Sequence, residues 1–134
     1  MSEWNAGIIE EFRANEGRVG GVFDGKPLLI LEHIGAKSGT VRHSPVMYQR
    51  LPGAYAIFAS KAGADSNPAW FHNLLANPAT SIGVGTETVE VAARVANVEE
   101  REVIWERQKA DQPQFAEYEA STDRQIPVVV LEPR

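Results

Sequence analysis

The chain has 134 residues, 43% apolar and 23% charged, which fits one globular domain spanning 1–134 with a core of its own. Asp and Glu number 18 against 13 Lys and Arg, and the net charge of -5 argues against general nucleic-acid binding. There is no cysteine, which excludes disulfides, thiolate metal ligands and cysteine nucleophiles. The start, Met1-Ser-Glu-Trp4, has no basic region followed by an apolar run. No apolar stretch approaches the roughly 20 residues that cross a bilayer. The expectation is a soluble cytoplasmic protein without an integral membrane segment.

Residues 1–20 read as a helical segment. Trp4, Ile8, Ile9 and Phe12 share one face of a helix over 3–15, and Gly17, Gly20 and Gly21 then form a turn. Leu28 to Ile34 is a continuous apolar run of strand length. Pro45–Leu51 and Ala54–Ala59 flank the turn pair Pro52-Gly53 and predict a β-hairpin. Asn67 is the expected N-cap, and Pro68 the first residue, of a short helix that stops before Pro78. Thr80–Val84 and Thr88–Val95 read as strands, the second alternating apolar and polar residues. Asn97 with Glu100 resembles a capping box that opens a helix carrying Val103, Ile104 and Arg107. Phe115 and Tyr118 lie on a further short helix, and Ile126–Leu131 is a closing strand. Hairpins dominate and βαβ alternation is missing. The predicted class is α+β, a small and mostly antiparallel barrel whose closure protects the strand edges.

From His33 to Ala64 the chain contains no Asp or Glu, yet it carries Lys37, Arg42, Arg50 and Lys61. An acidic protein that clears acids from one window makes room for an anion. Gly35-Ala-Lys-Ser-Gly39 lets backbone N–H groups approach closely, with Lys37, Ser38, Thr40 and Arg42 as donors. The order of a Walker loop is missing. Ala59-Ser-Lys-Ala-Gly-Ala-Asp65 is a second small-residue loop, and Lys37, Arg42 and Lys61 are expected to converge. Trp70 and Phe71 are candidates to wall a planar ligand, with His72 or Asn73 hydrogen-bonding to it. Trp and Phe on a helix are more often core, and a lone His more often hydrogen-bonded scaffolding. Tyr118 is a candidate proton donor and also an ordinary amphipathic residue. His33 and His43 lack metal-ligand spacing, so no metal site is expected.

Taken together, the segment from Leu28 to Arg134 resembles the deazaflavin-dependent nitroreductase family of actinobacterial oxidoreductases. The residues that carry the likeness are Gly35-Ala-Lys-Ser-Gly39 with Arg42 and Pro45, Ala59–Asp65, Asn67–Leu74 with Ala76-Asn-Pro78, and Tyr118 with Thr122–Leu131. The resemblance implies a split β-barrel of the FMN-binding, pyridoxamine-phosphate-oxidase type and the 8-hydroxy-5-deazaflavin coenzyme F420 in place of FMN. It implies that Ala36, Lys37, Ser38, Arg42, His43 and Ser44 hold the coenzyme's phosphate and acidic tail. Phe58, Ala59, Ser60 and Lys61, with Ala69, Trp70, Phe71, His72 and Asn73, would line the ring. Tyr118 and Ser60 would serve the chemistry. Glu32, His33 and Ile34 stand where many relatives have threonines. Phe115 and Ser121 stand near places where nitroimidazole-reducing members have tyrosines.

The implied reaction is hydride transfer from reduced deazaflavin to a small organic acceptor: a quinone, an enone or a nitro compound. Tyr118 or solvent supplies the proton. An FMN-binding oxidoreductase and a non-catalytic carrier or sensor of F420 are the competing readings, and a homodimer is compatible with all of them.

Overall fold

The computed structural model describes residues 3–23 and 25–134. Helix α1 (Glu3–Ala14) precedes strands β1 (Leu28–Ile34), β2 (Val41–Leu51) and β3 (Ala54–Phe58). Helix α2 (Ala69–Ala76) leads into β4 (Ala79–Val84) and β5 (Glu87–Val95). Helices α3 (Val98–Asp111) and α4 (Gln114–Ala120) precede β6 (Val128–Pro133). The strands close into an antiparallel barrel in the order β1-β2-β3-β6-β5-β4, with β4 returning to β1.

Strand alternation explains why some segments are continuously apolar and others are not. In β1, Leu29 and Leu31 point into the barrel with Tyr55, Ile57, Ile82, Val91, Val129 and Leu131. Its other face, Leu28 and Ile30, lies under Ile8, Ile9 and Phe12 of α1. In β6, Val129 and Leu131 face inward, while Val128 and Val130 meet Ile104, Trp105 and Phe115 of α3 and α4. Strands covered on both sides need apolar residues at every position. The outer face of β4 and β5 carries the Ser81–Glu90 hydrogen bond. The Trp4 side chain lies outside the described residues.

Several boundaries move for physical reasons. Strand β2 begins at Val41, four residues ahead of the expected Pro45, because the β1 pairing runs on to Ile34↔Val41. Strand β6 begins at Val128. The Ile126 carbonyl is taken by Nε and Nη2 of Arg101 at 3.0 and 2.9 Å, and Pro127 has no N–H to give. The residue preceding α2 is Pro68, and Asn67 makes no cap because its Oδ1 accepts from Nη1 of Arg124. The capping box of α3 forms as expected: Glu100 N donates to Asn97 Oδ1 at 2.8 Å, and Asn97 N to Glu100 Oε1 at 3.1 Å. Trp70, Phe71 and Leu74 of α2 join the barrel interior, which fixes this helix beside the two loops of interest. No helix among the described residues is long and apolar enough to cross a membrane.

Candidate functional site

The β1–β2 connection is a tight, self-closed turn. Gly35 N donates to Thr40 O and Gly39 N to Gly35 O, both at 2.9 Å, with Gly39 at φ +71. Thr40 N donates to Ser38 Oγ at 3.2 Å. The N–H groups of Lys37 and Ser38 have no acceptor among the described residues, so the exposed turn offers free amide donors beside an ammonium.

This turn is tied to α2 by a directed chain of hydrogen bonds. Ala36 N donates to Asn73 Oδ1 at 2.9 Å, which identifies the opposite atom of that amide as Nδ2. Nδ2 then donates to His33 Nδ1 at 2.9 Å. The neutral ring proton is thereby on Nε2, which donates to Ser44 Oγ at 2.9 Å. His33 is 3% exposed. Burial, then the positive charges of Arg42 and His43, pull its pKa from 6.5 to about 4, so the ring is neutral at neutral pH. A second ring proton on Nδ1 would face the Asn73 N–H, donor against donor.

Alternation along β2 separates residues that the sequence groups together. Ser44 reaches His33 on the inner face. His43 points outward beside its cross-strand neighbour Glu32, with Nε2 3.5 Å from Oε1. His43 is thus on the opposite side of the strand from Ser44. Asn73, expected along the ring, directs both ends of its amide to Ala36 and His33. Phe71 packs in the barrel interior, Ala69 is exposed, and the exposed His72 has its ring centroid 5.8 Å from that of Phe71.

The second loop leaves β3 with Ala59 fully buried and Ser60 8% exposed. Lys61 adopts φ +48, a left-handed conformation uncommon outside glycine, and its Nζ donates to Ser66 Oγ at 3.4 Å. Ser60 makes no side-chain cap. Both residues line a cleft of about 240 Å³ whose other walls include Met47, Phe58, Trp70, Phe115 and Tyr118. Tyr118 is half-buried, its ring edge-on to Phe115 at 5.1 Å, and its hydroxyl has no partner among the described residues.

Lys37, Arg42 and Lys61 form no ion pair among the described residues, whereas Arg94, Lys109 and Arg134 are each paired with Glu. Each of these three neighbours a residue of α2 or a residue bonded to it. Lys37 follows the Ala36–Asn73 bond, Arg42 bears on His33, and Lys61 shares a cleft with Trp70. A multiply anionic group with a flat ring fits this set. Unneutralised cations and free amides suit the tail, and an aromatic-walled cleft suits the ring.

Two contributors were not legible as site residues. His33 sits inside an apolar run and looked like a strand residue. Arg124 sits within the late motif but reaches the second loop across more than fifty residues of sequence.

The family model for F420H(2)-dependent quinone reductases matches residues 7–133. An F420H(2)-dependent quinone reductase of Mycobacterium tuberculosis is 36% identical over 124 residues, covering 90% of this chain and 83% of that protein. A solved F420-H2 dependent reductase is 39% identical with a TM-score of 0.73, covering 79% of this chain and 94% of that one. A second solved relative, a domain-swapped dimer, is 37% identical with a TM-score of 0.74, covering 95% and 93%. A Listeria innocua structure described as a pyridoxamine 5′-phosphate oxidase, 10% identical with a TM-score of 0.58, shares the split-barrel fold alone. The chain belongs to the F420H(2)-dependent quinone reductase family and is an oxidoreductase that depends on reduced coenzyme F420.

Proposed function

We propose that the acceptor is a small planar organic molecule of the quinone or enone type, reduced in the cleft between Trp70 and Tyr118. The observation that carries this reading is the cleft itself. It is apolar and aromatic on several sides, and it carries one unpartnered phenol. When bound, reduced F420 supplies the hydride.

The residues of this chain do the rest. Lys37, Arg42 and the free amides of the β1–β2 turn bind the anionic tail. Trp70 and the backbone at Ser60 and Lys61 orient the ring, and the side chains around the cleft exclude water. A quinone or enone oxygen that gains electron density needs a proton, and Tyr118 Oη is the donor on the cleft wall.

A Tyr118→Phe variant tests the assignment. Turnover with a quinone should fall about a hundredfold, the low end of general-acid effects, while the dissociation constant for F420 stays within about twofold. Loss of coenzyme affinity with unchanged turnover would remove Tyr118 from the chemistry. A second copy of the chain is the macromolecular partner suggested by the domain-swapped relative, and light scattering across a concentration series reads that association.

A further inference from the structure

We propose that Arg124 is the positioning residue that builds the ring-side wall of the coenzyme site, an inference that rests on the proposed placement of the ring beside Trp70. Its guanidinium is half-buried, and its hydrogen bonds go to neutral oxygens of the second loop and of Asn67 just beyond it. Nε donates to Ala64 O at 2.9 Å, and Nη1 to Asn67 Oδ1 at 2.5 Å. Nη2 donates to Ala59 O at 3.0 Å and Ser60 O at 3.1 Å. One planar fork therefore holds the end of β3, both sides of the Lys61 turn and the residue that leads into α2.

The nearby carboxylate, Asp65, is engaged elsewhere, accepting from Thr122 Oγ1 at 2.8 Å. Thr122 Oγ1 in turn accepts from Arg124 N at 3.4 Å, so the turn before β6 is tied to the loop twice. A guanidinium with spread donors satisfies this set, whereas an ammonium on a flexible stem cannot span it. The geometry it preserves is costly to hold otherwise. Lys61 is at φ +48, and the loop closes on itself through Gly63 N→Ser60 O and Ala64 N→Lys61 O. Releasing the clamp frees Ser60 and Lys61 and loosens the entry to Trp70.

The test is Arg124→Lys, read in two ways. Without coenzyme, hydrogen exchange at the amides of Gly63 and Ala64 should speed up about tenfold or more, the scale of one lost charged hydrogen bond. The capping-box amide of Glu100 should keep its wild-type rate. With coenzyme, the variant should bind intact F420 and the tail-less 8-hydroxy-5-deazaflavin riboside more weakly by the same factor. Lys37→Ala should instead weaken only the form that carries the tail.

Wild-type exchange at Gly63 and Ala64 would overturn the clamp. Faster exchange with unchanged affinity for both ligands would leave the clamp standing and overturn the ring placement. If Arg124→Lys fails to fold, Asn67→Ala removes one arm of the clamp. It should then raise exchange at the same two amides, and wild-type exchange there would overturn the proposal.

Discussion

At the scale of single residues, the site is organised by groups that need not touch the coenzyme at all. His33 shows this most clearly. Its ring is neutral because burial disfavours the charged form and because Arg42 and His43 add positive charge nearby. The folded-state pKa, about 4, lies below the ordinary 6.5, so the unfolded chain binds more protons between those values. The stabilisation is complete above 6.5 and is lost as the pH falls from 6.5 towards 4. Urea unfolding followed across this window should show the midpoint falling with pH for the wild type. A His33→Gln variant should show a visibly shallower slope. Equal slopes would mean that other groups carry the acid sensitivity.

The same network engages Asn73. Its residue type suggested a ligand contact, but its two polar atoms are used to hold the turn at Ala36 and the His33 tautomer. Nothing in the spacing of Asn73 distinguishes a ligand contact from a bond to a strand forty residues earlier.

At the scale of elements, the segments fixed by local chemistry were legible and those fixed by distant partners were not. β1 spans Leu28–Ile34 as read, because a seven-residue run with five apolar members, bounded by Pro27 and Gly35, has few alternatives. The Asn97–Glu100 capping box closes within four residues and formed as read. The hairpin around Pro52-Gly53 did too, with Gly53 at φ +72. Asn67 went astray because its competitor for the side chain, Arg124, lies 57 residues away.

Gly63 is a case of an element-level constraint hidden in a small residue. It has φ +87, and a Cβ there would lie 3.1 Å from Tyr118 Cα and 3.1 Å from Ser121 Cβ. The loop thus presses against the backbone of α4, which sets the distance between Lys61 and Tyr118. Gly63→Ala should cost about 1–3 kcal/mol of stability, the range for a strained left-handed residue. It should also raise the KM for the acceptor as α4 is pushed away. A chemical-denaturation midpoint and a KM both equal to wild type would show that the contact relaxes freely.

At the scale of the whole molecule, the barrel gives each loop its place. The antiparallel class and the hairpins were readable from strand spacing. The closing pairs β1–β4 and β3–β6 were not, because they join segments far apart in sequence. Closure sets the β1–β2 turn and the β3 exit around one helix, α2, which plugs the barrel with Trp70, Phe71 and Leu74. The acid-free window from His33 to Ala64 then becomes a physical region: the end of β1, all of β2 and β3, and both loops. Within it Lys37, Arg42 and Lys61 have no carboxylate partner among the described residues, and the window itself supplies none.

The most direct measurement is a fluorescence titration of the purified protein with F420 and, separately, with FMN, repeated on Lys37→Ala. Wild-type protein should bind F420 more tightly than FMN, and the substitution should weaken F420 binding by about ten- to a hundredfold, the value of a charge-assisted hydrogen bond. An F420 dissociation constant untouched by the substitution, or tighter binding of FMN, would contradict the assignment of this turn to the coenzyme's anionic tail.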